Sequence, residues 1–143
     1  MFSPLADERF ALGVESIYEG YLLHYGRARL FDPVDPDTSI LLGDYLYAHG
    51  LVRVAGQGDV RVVADLAELL ALCAHLRAEG QPGDGPAWAA TIALLGRVEE
   101  RLPEARTTLS QSADPAPLLR LAESAAGQEP VARALTLHHA HLS

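Results

Sequence analysis

Glu15 and Glu19 stand four residues apart, a spacing that sets both carboxylates on one face of a helix. Two acids so placed can offer oxygen ligands to a divalent cation, or raise one carboxyl group's pKa for acid–base work; solvated surface acids are the ordinary alternative. Asp44 sits in an otherwise apolar run. A carboxylate buried there needs a partner, and Arg27, Arg29 or a tyrosine hydroxyl would make it a structural pair. His138 and His141 are three apart on the last helix with His139 between them, and they are weak candidates for zinc. No glutamate or third ligand completes a zinc pattern, and adjacent histidines at a chain end are expected to be exposed. His24, His49 and His75 are scattered over three segments and are expected to be hydrogen-bonded or at the surface.

All five tyrosines, Tyr18, Tyr21, Tyr25, Tyr45 and Tyr47, fall in the first third of the chain. A tyrosine joins a large apolar body to a polar tip, so such a group suits a pocket or an interface as well as ordinary core packing. Tyr18, Glu19, Tyr21, Tyr25, Asp44 and Tyr45 are therefore the candidate ligand-binding or interface residues. No catalytic residue is assigned. The single cysteine, Cys73, occupies an apolar helical position and reads as a buried, inert thiol. The chain has no lysine, which excludes Schiff-base and P-loop lysine chemistry.

A formal charge of −8 without a basic patch argues against nucleic acid as a partner. No apolar run approaches the roughly 18 residues of a membrane span. Residues 1–9 carry no basic-then-apolar leader, so a cytoplasmic location is expected.

The elements that must position these residues are all helical. Ser3-Pro4 predicts a helix over residues 3–25, with Phe10, Val14, Ile17, Tyr18, Tyr21, Leu22 and Tyr25 as its apolar stripe and Gly26 at its end. Pro33 and Pro36 among aspartates mark a loop. A second helix over residues 36–55 is apolar round most of its circumference and should be central, with Gly43 and Gly50 on one side permitting close backbone approach. Asp59 caps a third helix that runs to residue 79 and forms a hairpin with the second. After the Gly- and Pro-rich break at 81–85, Pro86 opens a fourth helix carrying Trp88, Ile92, Leu95, Val98 and Leu102. Shorter helices follow at 104–109, 114–126 and 130–142. The expectation is one all-α domain over residues 1–143, a compact bundle of about six to seven helices whose best-defined core is 3–102.

The run Leu41-Leu42-Gly43-Asp44-Tyr45-Leu46-Tyr47-Ala48, then Gly58-Asp59-Val60-Arg61-Val62-Val63 and Leu66-Ala67-Glu68-Leu69, resembles a helix pair of the trans-polyprenyl diphosphate synthases. Tyr21-Leu22-Leu23-His24-Tyr25 is similar to the segment that precedes that family's Asp-Asp-x-x-Asp cluster, but here the aspartates are missing. The family's carboxylates hold magnesium against an allylic diphosphate, so the resemblance implies an isoprenoid-synthase-like architecture without the catalysis. It also implies that the first two helices pack together. Magnesium would then enter only if Glu15, Glu19 and Asp44 converged. In that family the matching helices form a two-fold dimer contact, so the implied role is a homodimer or partner subunit using the second and third helices. The alternative is a small binding protein that holds an isoprenoid or lipid-like molecule near Tyr18, Tyr21 and Asp44.

Overall fold

A computed structural model describes residues 1–142. Short 3-10 turns at Ser3–Leu5 and Glu8–Phe10 lead into α1 (Ala11–Tyr25), followed by α2 (Pro36–Ala55), α3 (Val60–Ala78), α4 (Asp84–Ala93), α5 (Arg101–Ser112), α6 (Ala116–Ala126) and α7 (Gln128–Leu142). The architecture is all-helical, as the periodicity predicts, with no strand among the described residues.

The local signals at α2 and α3 operate as expected. The Asp35 carboxylate accepts from the Thr38 amide, and Pro36 takes the first helical position, where its missing N–H removes no bond. The Asp59 carboxylate accepts from the Arg61 amide at the head of α3. At the N-terminus the single helix expected over 3–25 is broken. Ala6 is extended, with φ −101° and ψ 168°, and Asp7 caps a second short turn through the Arg9 amide. That break folds the chain back, so that Phe2 is fully buried against Trp88 and Tyr18.

The centre of the bundle is α4. Gly85 and every residue from Ala87 to Ala93 are buried, and α4 touches α3, α5, α6 and α7. Its alanines let those neighbours approach closely while Trp88 fills the space toward α1. The expectation that this helix continues through Val98 to Leu102 fails at Gly96, whose φ of +81° is left-handed. Leu102 belongs to α5, and Val98 is exposed.

The expectation that α2 is central is also overturned. Only Gly43, Leu46, Gly50 and Val54 of α2 are buried, and it packs chiefly on α1. The contact is made by glycines on both helices. A methyl group on Gly50 would lie 2.8 Å from the Gly13 carbonyl oxygen, and one on Gly20 would lie 2.8 Å from the Gly43 oxygen. Gly13 meets Gly50 while Gly20 meets Gly43, so the two helices run antiparallel with their backbones nearly touching. The glycine side of α2 is thus occupied within the chain.

Candidate functional site

Three arrangements of polar or apolar side chains stand out. The most buried joins α1, α3, α4 and α7 through Asp84. One of its carboxylate oxygens accepts from Tyr21 at 2.7 Å and from Arg77 at 2.6 Å. The His138 Nε2 lies 3.2 Å from the same oxygen, a contact that falls short of a directed hydrogen bond. The other ring nitrogen, Nδ1, is 2.6 Å from the Tyr18 hydroxyl. With the Nε2 proton facing the carboxylate, Nδ1 is left as acceptor for that hydroxyl.

Burial pushes the Asp84 carboxyl up, but its contacts with His138, Tyr21 and Arg77 win and hold it well below the usual carboxylate range. Burial likewise pushes the Tyr18 and Tyr21 hydroxyls and the Cys73 thiol upward, so all three stay protonated. The order carboxylate, imidazole, hydroxyl has the form of a proton relay. Tyr18 and His138 are fully buried, however, so no substrate arriving from solvent touches its reactive end. A cleft of about 420 Å³ beside Leu76, Gln81, Pro82 and Leu142 reaches Arg77 and Asp84, but both charges are already spent on each other. The network ties four helices together.

The second arrangement holds the loop after α1. Glu19, 1% exposed, accepts from the backbone amides of Arg29 and Leu30 at 2.7 and 2.8 Å and from Arg29 Nε at 3.0 Å. Glu15 takes Arg29 NH1 at 2.6 Å and the amino group of Met1 at 2.5 Å. Burial opposes ionisation of Glu15, yet bonds from the amino terminus, Ser3 and Arg29 outweigh it and lower its pKa to about 2. The two glutamates do meet, around an arginine.

Asp44 is not with them. It is exposed on α2 and pairs with His24 Nε2 at 3.0 Å, which replaces the arginine or tyrosine partner expected for a buried acid. Among the described residues no group of three or more His, Cys, Asp or Glu side chains is arranged to hold a metal ion. His138 and His141 face different partners: His138 turns into the core, against the expectation of exposure, and His141 Nδ1 lies 3.0 Å from the Arg27 carbonyl oxygen. Tyr18 and Tyr21 are packed in the core beside Trp88, so they and Asp44 do not line a common space. Tyr25 is partly exposed and packs against Tyr21 with the two rings tilted, and Tyr45 stands out from α2 stacked on His49.

Sequence reasoning missed Asp84 and Arg77, and it placed His138 at the surface as a weak zinc candidate where the structure buries it. One signal was present: Val131, Ala134 and His138 fall at steps of three and four, so the histidine continues the buried stripe of α7.

The third arrangement is the outer face of α2. Leu41, Tyr45, Ala48, Val52 and Ala55 recur at alternating steps of four and three, and all five are exposed. Leu41 is 70%, Tyr45 63% and Val52 72% exposed. At 3.6 residues per turn this stripe lies roughly 160° round the helix from the face that meets α1. Beside it Leu12, Leu30 and Phe31 line a mostly apolar groove with Tyr45 and Leu46.

The chain matches no protein-family model, no curated protein and no solved structure. Among the described residues no helix is long and apolar enough to cross a membrane.

Proposed function

We propose that this chain is a noncatalytic helical protein, prenyl-synthase-like in its second and third helices, that acts as a subunit by docking a partner helix on the outer face of α2. The observation that carries this reading is the exposed stripe of Leu41, Tyr45, Ala48, Val52 and Ala55. A 3.5-residue apolar period is the pattern with which one helix packs along another, and a stripe of this kind left in water is an unfilled contact. The helix pair that carries most of the family resemblance corresponds to α2 and α3, joined by the turn at 56–59, with the stretch Tyr21–Tyr25 on α1 beside it. Both candidate polar clusters are consumed by internal bonds, which favours assembly over chemistry.

The test is native size in fresh cell extract. The wild-type chain should migrate well above its 15.3 kDa, and a Tyr45→Glu, Val52→Asp double variant should fall to monomer size with an unchanged helical circular-dichroism spectrum. A wild-type chain that runs as a monomer in the extract overturns the proposal.

A further inference from the structure

We infer that the groove between α3 and α5 binds the head group of a free α-amino acid, its carboxylate on Arg106 and its ammonium on Asp65 and Glu68. The inference goes beyond the docking reading and does not depend on it.

One face of each helix forms the groove. Asp65, Glu68, Leu72 and His75 recur along α3 at steps of three and four, as Pro103, Arg106 and Ser110 do along α5. With Thr107 they line a space of about 670 Å³. Arg106 is only 8% exposed, and its contacts do not fill its bonding capacity. Its NH2 donates to the Thr91 hydroxyl at 3.1 Å and to the Asp65 carbonyl oxygen at 3.2 Å. Nε has no hydrogen-bond partner among the described residues, and NH1 has the Asp65 carboxylate 3.7 Å away, beyond hydrogen-bond length. A guanidinium carries donors on every nitrogen, and burying it with donors unfilled is costly. Burial pushes the Arg106 guanidinium down and the Asp65 carboxyl up, so their mutual attraction does not offset the water each has lost.

A ligand that accepts from the guanidinium and donates to the carboxylate relieves both. A simple anion would meet Asp65 and Glu68, and a simple cation would meet Arg106. A zwitterion answers both charges. Because Arg106 NH1 and Asp65 Oδ1 are 3.7 Å apart, its charges must sit on neighbouring groups, as they do in an α-amino acid. Two hydroxyls support the ammonium end. Thr107 donates to the Pro103 carbonyl and Ser110 to the Thr107 carbonyl, both at 3.1 Å, which leaves each hydroxyl oxygen as an acceptor. Ala71, Leu72 and Pro103 give the wall apolar surface that suits an aliphatic side chain.

Isothermal titration calorimetry of the purified chain with L-leucine tests the inference, beside three analogues. The 4-methylpentanoate ion lacks the ammonium, 3-methylbutylamine lacks the carboxylate, and 6-aminohexanoate holds the two charges far apart. Leucine should bind with a dissociation constant below about 1 mM, and each analogue at least about 10-fold more weakly. Arg106→Gln and Glu68→Gln should each weaken leucine by about 10-fold or more. Glu68 is exposed, so its variant decides the matter if loss of the buried Arg106 prevents folding. The Tyr45→Glu, Val52→Asp double variant should bind leucine as the wild type does. No binding of leucine at about 10 mM overturns the site. Any analogue that binds as tightly as leucine overturns the paired-charge recognition, and leucine binding unchanged by Glu68→Gln overturns the location.

Discussion

The Gly50 backbone rests against the Gly13 carbonyl oxygen so closely that a β-carbon on Gly50 would stand 2.8 Å from it. The same would-be methyl also runs into the Ile17 side chain. Alanine normally gains about 1 kcal/mol over glycine inside a helix. Here the clash with backbone outweighs that gain, so Gly50→Ala should destabilise the protein by about 1–3 kcal/mol. Thermal unfolding followed by circular dichroism checks it, and a rise in Tm would show that the two helices are not locked at this distance.

Asp84→Asn removes the charge on which Arg77, Tyr21 and His138 converge. Losing the carboxylate should cost about 2 kcal/mol, less than for a fully buried pair because Arg77 is partly exposed to the cleft. Urea unfolding followed by the fluorescence of Trp88 measures it: the midpoint should fall with the slope unchanged. A loss below about 1 kcal/mol would mean that the network does not couple the helices.

Acid should unfold the protein partly through Glu15. In the unfolded chain this group titrates near its ordinary 4.5, and in the folded chain near about 2. Between those values the unfolded state binds a proton that the native state does not, so stability rises with pH. The contribution is complete above pH 4.5 and is lost as pH falls toward 2. The shift corresponds to about 3 kcal/mol at most, and partial exposure of the side chain reduces this to about 2 kcal/mol. Asp84, also depressed, adds to the same acid limb. Glu15→Gln should flatten the stability profile over that window and leave the slope between pH 6 and 8 as it is.

Glu19→Gln should loosen the loop rather than the core. Both amides that Glu19 Oε1 accepts belong to residues 29 and 30. A neutral amide has one acceptor oxygen in place of two and cannot satisfy this set. Native-state hydrogen exchange should show the Arg29 and Leu30 amides exchanging about 10- to 100-fold faster, with the amides of α4 unaffected. Unchanged exchange at Arg29 and Leu30 would show that the loop is held by other contacts.

Helix starts were legible at α2 and α3, where an aspartate caps the first turn, whereas Ser3-Pro4 opened only a short 3-10 turn. Asp35-Pro36 and Asp59 set the starts of α2 and α3, because caps act within three residues of the helix they begin. The end of α4 was not legible, since Gly96 reads as an ordinary interior glycine until its backbone turns left-handed. The position of α2 was misread for a different reason. A helix apolar on all sides is either central or exposed to a partner, and periodicity alone does not distinguish them; Gly13 and Gly20 on α1 did, by offering a flat surface to Gly43 and Gly50. The pairing of Glu15 and Glu19 on one face was legible from spacing. The Arg29 between them was not, because the loop that carries it has no period. Asp84 lies across a loop from Arg77 and in a distant segment from His138, so only the tertiary fold brings them together.

The placement of α2 divides the sequence between two kinds of selection. Only four of its residues are buried, and Leu41, Tyr45, Ala48, Val52 and Ala55 on its outer side are all exposed. Substitutions at Leu41, Tyr45, Ala48 or Val52 leave the packing around Trp88 intact, so the outer face can change while the fold persists. The chemistry of this face is therefore free to vary faster than the architecture beneath it.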